Sequence, residues 1–190
     1  MMESSEQLAC YRELLLTWSA KINLIGPEAR RNLGAHVEEA LFAGRALAPA
    51  GPVLDFGSGG GLPAEPIAIE HPEAHFHLVE ADAKKWSFLK QVARSCRLRL
   101  TVHGDRLERL AGSLPRNHFT LVTSRAVGYP EKWLPIVEPL LIEGGRVALF
   151  AGSPDVPAIA GFALERILPL PRGEGHALVI LAKVPRGTDG

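Results

Sequence analysis

The chain has 190 residues, 46% hydrophobic and 22% charged, which is ordinary for one water-soluble globular domain. Its 21 basic and 21 acidic residues cancel, which excludes the broad cationic field of a diffuse nucleic-acid binder and leaves room for a local basic patch. No apolar run approaches the ~20 residues a membrane-spanning helix needs. The opening Met1-Met2-Glu3-Ser4-Ser5 has no basic-then-apolar leader.

Residues 3–50 are predicted helical. Leu8, Tyr11, Leu14, Leu15, Trp18 and Ile22 recur at helical spacing, Gly26-Pro27 breaks the pattern, and a second helix carries Leu33, Val37, Leu41 and Leu47. From residue 52 strands and helices alternate. Strands are expected at 52–56, 75–80, 98–103, 119–124 and 146–150, with helices near 64–70, 83–96, 105–111 and 130–140 between them. That alternation implies a parallel sheet covered by helices on both faces. The runs 162–168 and 176–182 are joined by a loop too short for a crossover helix, so an antiparallel C-terminal pair is expected. The chain reads as one domain, 1–190, with a helical cap over 1–50, a Rossmann-like α/β core over 51–184 and a frayed tail from Pro185.

The most telling stretch is Asp55-Phe56-Gly57-Ser58-Gly59-Gly60-Gly61-Leu62-Pro63, with four glycines in five positions after an apolar strand. A ligand-free turn seldom needs so many glycines, because each costs backbone entropy on folding. A dinucleotide site wants G-x-G-x-x-G, but Leu62 and Pro63 follow where the third glycine belongs. A phosphate-binding P-loop is excluded because no Gly-Lys-Ser/Thr follows. S-adenosylmethionine, which has no pyrophosphate, suits the pattern better. Asp55 would lie near its charged amino-acid end, the glycine backbone under the sugar, and Glu80, 23 residues after Gly57, at the ribose hydroxyls.

Elsewhere the sequence offers less. Lys90, Arg94 and Arg97 fall within a helical arc of roughly 60°, a solvated face or a contact for RNA phosphates. Arg30-Arg31 is a weaker patch of the same kind. Tyr129 is either a base-stacking aromatic or a turn residue beside Pro130. The histidines show no metal spacing, and Cys10 and Cys96 have no metal-ligand neighbours. No metal is expected, and both thiols are read as reduced and semi-buried.

The glycine loop, Pro66, His71-Pro72-Glu73-Ala74-His75-Phe76, Lys84-Lys85-Trp86-Ser87-Phe88-Leu89-Lys90-Gln91-Val92 and Ser124-Arg125-Ala126 closely resemble the RsmG (GidB) family. Lys21-Ile22-Asn23-Leu24 and His36 are similar too, and the likeness covers roughly 11–184. Members are bacterial enzymes that methylate a guanine of small-subunit (16S) ribosomal RNA at N7. The resemblance implies an S-adenosylmethionine-dependent class I methyltransferase with Gly57, Leu62, Leu107, Glu108 and Arg125 at the cofactor; the loop pattern adds Asp55, Ser58, Gly59, Gly61 and Glu80, and Arg125 is also expected in catalysis. It further implies 16S rRNA or the small ribosomal subunit as partner, with a cytoplasmic monomer expected. Departures from the family pattern are Ala35 before His36, Glu80 for aspartate, Ala151 for a lysine before Gly152, and Gly175 for an arginine before His176. Two other readings stand beside this one: a methyltransferase of the same fold acting on another substrate, and a non-catalytic cofactor- or RNA-binding module.

Overall fold

In the computed structural model, which describes residues 2–125, 128–153, 158–171, 173 and 175–185, seven strands form one sheet. In chain order they are β1 (Val53–Phe56), β2 (Phe76–Val79), β3 (Leu100–His103), β4 (Phe119–Arg125), β5 (Leu141–Ala151), β6 (Phe162–Pro169) and β7 (Ala177–Lys183). The spatial order is β3-β2-β1-β4-β5-β7-β6. The first five run parallel, and β7 is antiparallel to both β5 and β6. The expected C-terminal antiparallel pair is present, with β7 inserted inside the sheet and β6 at its edge.

The helices are α1 (Ser4–Ser19), α2 (Pro27–Arg31), α3 (Leu33–Leu47), α4 (Ala64–Glu70), α5 (Ala83–Ser95), α6 (Leu107–Leu110) and α7 (Pro130–Val137). Asp82 caps α5 by accepting from the Lys84 and Lys85 N–H groups at 2.9 and 3.0 Å. One side of the sheet buries Val53, Phe76 and Leu78 against α1, α3, α4 and α5. The other buries Leu54, Val79 and Val122 with Leu107 of α6 and Trp133, Leu134 and Val137 of α7. The strand alternation of β1, Val53 to one side and Leu54 to the other, is what lets one short strand serve both cores.

Several boundaries differ from the sequence reading: α1 ends at Ser19, short of Ile22, β3 starts at Leu100 and α6 spans only Leu107–Leu110. Residues 27–47 form two helices, because Asn32 (φ −110°, ψ 27°) interrupts the ladder. The seventh helix stops at Val137 and passes into a 3₁₀ turn, Glu138–Leu140, whose second residue, Pro139, has no N–H to continue the ladder. β5 starts at Leu141, ahead of Gly144-Gly145, because Leu141 already pairs with Phe119 and the glycines are absorbed in a register shift.

Candidate functional site

The order of strands reverses between β1 and β4, so the loops leaving their carboxyl ends part and open a crevice. The glycine loop leaves β1 at this point. Gly57, Gly59 and Gly61 have φ of 72°, 53° and 83°, a left-handed backbone that side chains disfavour. The Gly57 and Ser58 N–H groups both donate to Val79 O, at 3.1 and 3.2 Å, and the Gly61 N–H donates to Ser58 O at 2.7 Å. Tyr11 of α1 reaches in from the cap and donates its hydroxyl to Gly60 O at 2.8 Å. The loop is therefore held from both the sheet and the cap.

Glu80, directly after β2, accepts from the Gly59 N–H on Oε2 and from the Asp82 N–H on Oε1, each at 2.8 Å. Its carboxylate is thereby fixed beside the loop. A cleft of about 260 Å³ opens here, lined by Gly57, Val79, Glu80, Asp105, Leu107 and Glu108 together with Phe56, Ala81 and Arg106. Of the residues expected at a cofactor, the structure brings Gly57, Glu80, Leu107 and Glu108 together in this cleft. Phe56, Asp105 and Arg106 were missed. Asp105 and Arg106 follow β3 as Glu80 follows β2, a positional signal the sequence carried.

Asp55, Ser58, Gly61 and Leu62 lie beneath the loop, buried on the cap side and away from the cleft walls. Asp55 is 1% exposed. Thr123 of the neighbouring strand donates to its Oδ1 at 2.6 Å, and Oδ2 has no partner. Burial raises its pKa from 3.8 to about 6 against the lowering effect of its hydrogen bonds. Glu65, in the first turn of α4, is fully buried with neither oxygen partnered. Burial, then the nearby Asp55, pushes its carboxyl well above the usual range. Sequence reading missed Glu65 because charge in a first helical turn ordinarily signals a solvated end.

Arg125 ends β4 on the far side of the crevice. Its Nη2 meets Glu39 Oε2 at 3.0 Å and also contacts His36 Nδ1, both from α3. Glu39 is 1% exposed. Ala126 of the Ser124-Arg125-Ala126 motif lies outside the described residues. Tyr129 is 66% exposed, with the Lys132 ammonium 4.4 Å from its ring centroid. Lys90, Arg94 and Arg97 are exposed, but only Lys90 and Arg94 share a helical face: α5 ends at Ser95, and Arg97 lies beyond it with a left-handed φ of 54°. Cys10 and Cys96 are free thiols brought to 2.9 Å between sulfurs, and burial raises the Cys96 pKa. His75 just ahead of β2, His77 on β2 and His103 on β3 cluster, and burial first, then neighbouring imidazoles, lowers His77 to about 4. Among the described residues no group of three or more His, Cys, Asp and Glu is arranged to hold a metal ion.

A glycine loop at the switch point, an acid one strand over and a single reversed strand next to the sheet edge define a class I, Rossmann-like, S-adenosylmethionine-dependent methyltransferase. An RNA methyltransferase from Salinibacter ruber, solved with S-adenosyl-L-homocysteine, has this fold (TM-score 0.61, 18% identity, 81% of this chain and 94% of that one). A SAM-dependent methyltransferase from Aquifex aeolicus has it too (TM-score 0.61, 12% identity, 85% and 100% covered). Residues 4–160 match the family model GidB, rRNA small subunit methyltransferase G. Proteins named ribosomal RNA small subunit methyltransferase G are 35% identical over 152 residues in Gluconobacter oxydans (80% of this chain, 76% of the relative) and 36% identical over 180 residues in Laribacter hongkongensis (94% and 81%). The chain belongs to the ribosomal RNA small subunit methyltransferase G family.

Proposed function

We propose that this chain is a one-domain, monomeric, cytoplasmic enzyme that uses S-adenosylmethionine to methylate N7 of a guanine in 16S ribosomal RNA. The observation that carries the reading is the cleft that gathers Gly57, Glu80, Leu107 and Glu108 from two loops and the helix α6 in a chain of this family. The residues present fit the cofactor. Glu80 offers a fixed carboxylate for a ribose diol and Leu107 an apolar wall for an adenine. Bound there, S-adenosylmethionine supplies a methyl group activated by its sulfonium. Guanine N7 has a lone pair and no proton to lose, so the chain needs no general base for this acceptor. Its task is to bind, align and exclude water.

Calorimetry with S-adenosylhomocysteine tests the cofactor half. Glu80→Ala removes the acceptor of two backbone N–H groups and is expected to weaken binding by about tenfold to a hundredfold. Affinity unchanged in both Glu80→Ala and Gly57→Arg sinks the assignment of the cleft. Labelled methyl transfer to deproteinised 16S rRNA and to small subunits tests the substrate. Label that enters neither, but enters a small molecule or a protein, refutes rRNA as the acceptor.

A further inference from the structure

Cys10 and Cys96 are the only cysteines of the chain, and the function proposed above uses neither. The fold brings them together from 86 residues apart, with 2.9 Å between sulfurs. Cys10 lies in the middle of α1, in the cap, and Cys96 caps the C-terminal end of α5, in the core. A disulfide requires two side chains that face each other and sulfurs that close to about 2.05 Å. These side chains already face each other, because one thiol donates to the other.

The pair sits at a joint that matters to the rest of the molecule. Gln7 of α1 donates its Nε2 to Cys96 O at 2.9 Å, and the Trp18 ring meets Phe88 of α5 edge-on at 5.7 Å between centroids. Both helices also brace the candidate cofactor site. Tyr11, next to Cys10, donates to Gly60 O of the glycine loop, and Asp82 at the start of α5 donates its N–H to Glu80 Oε1.

The two thiols are unequal. Cys10 is half-buried and open to a reagent, whereas Cys96 is buried. Burial, then the hydrogen bond with Cys10, raises the Cys96 pKa, so an outside reagent meets Cys10 first. The Cys10 thiolate attacks one sulfur of a low-molecular-weight disulfide, forms a mixed disulfide and releases one reagent thiolate. Cys96 then gives up its proton, attacks Cys10 Sγ and expels the second reagent thiolate. The protein thiols lose two electrons and two protons, and the reagent becomes two thiols.

We propose that Cys10 and Cys96 form a reversible disulfide site, which staples the helical cap to the core when the surrounding thiol–disulfide balance turns oxidising. The bond closes a loop that runs from α1 through the glycine loop to the end of α5, so it restricts the unfolded chain strongly. In a reducing compartment the pair stays as thiols, and packing and hydrogen bonds hold the cap. The site does not depend on which acceptor the enzyme methylates.

Oxidised glutathione added to the folded chain, followed by alkylation with N-ethylmaleimide and intact-mass measurement, tests it. The expected product lacks two hydrogens, takes up no alkylating label and yields a cross-linked Cys10–Cys96 peptide, and dithiothreitol reverses it. Its Tm should exceed that of the reduced chain by about 5–15 °C, with S-adenosylhomocysteine affinity within about twofold. Cys10→Ser and Cys96→Ala, each verified as folded by circular dichroism, should show no such rise with the same reagent. Glutathione adducts or free thiols without a bridge overturn the proposal. So does a bridge that forms only in urea, where no fold aligns the sulfurs. A bridge that leaves Tm unchanged or lower, or that weakens S-adenosylhomocysteine binding tenfold, overturns the staple, because the bond then distorts the joint. A reduced chain that binds no S-adenosylhomocysteine overturns the cofactor reading instead, and mass and Tm still decide the bridge.

Discussion

Asp55 makes stability depend on pH in a calculable window. Its carboxyl is 1% exposed, so solvent screening discounts little. Its pKa of about 6 in the fold compares with an ordinary 3.8. A raised pKa in an acid means that the folded state holds its proton longer than the unfolded chain does. Stability is therefore full below about pH 4, falls as pH rises through 6, and stays reduced above that. The difference corresponds to roughly 3 kcal/mol between the two plateaus. Asp55→Asn cannot ionise yet keeps an oxygen to accept from Thr123, so it should lose this contribution to the slope. Urea denaturation of both proteins at intervals from pH 4 to pH 7.5 measures it. The wild type should lose about 3 kcal/mol more than the variant across that span. Glu65 acts in the same direction and is itself raised in part by Asp55, so the difference between the two curves reports Asp55 together with its coupling to Glu65. Parallel curves for the two proteins refute the reasoning.

Two further predictions concern packing around the site. Gly61 combines φ of 83° with a space in which an added Cβ would overlap the Glu65 carboxyl. Gly61→Ala should therefore cost about 1–3 kcal/mol by urea denaturation. Part of this should return in a Glu65→Ala background, where the overlap is gone but the backbone strain remains, and equal costs in both backgrounds would disprove the contact. Glu39→Ala should cost about 3–5 kcal/mol in the same assay, because it strips a buried carboxylate partner from a largely buried guanidinium. A loss no larger than that of an exposed ion pair, under ~1 kcal/mol, would show that Arg125 is solvated in solution.

Periodicity and punctuation carried most of the fold. Apolar spacing over 3–50 marked the cap, and β1, β2 and β4 were expected within a residue or two of where they stand. Asp55 through Pro63, with Glu80 beyond, marked the candidate cofactor loop. Element ends were less legible. Asn32 breaks a helix that spacing alone would continue, and β5 begins before its glycines because Phe119 is there to pair with Leu141.

The cofactor cleft was legible in part, because Gly57 and Glu80 each follow a strand, and a parallel sheet brings all such positions to one edge. Burial was not legible. Nothing local distinguishes Leu62 or Glu65 from a residue facing a ligand, yet both lie packed beneath the loop. By itself the sequence determined the alternation of elements, the glycine loop proposed to serve the cofactor and the acid beside it, because these depend on spacing within one or two elements. Only the tertiary structure decided that β7 lies between β5 and β6, that Thr123 pairs with Asp55, and that Glu39 and His36 meet Arg125 across 86 and 89 residues. Those contacts depend on strand register and on the docking of the cap against the sheet. Such long-range packing is set by the competition of all apolar surfaces for burial, and no local pattern encodes it.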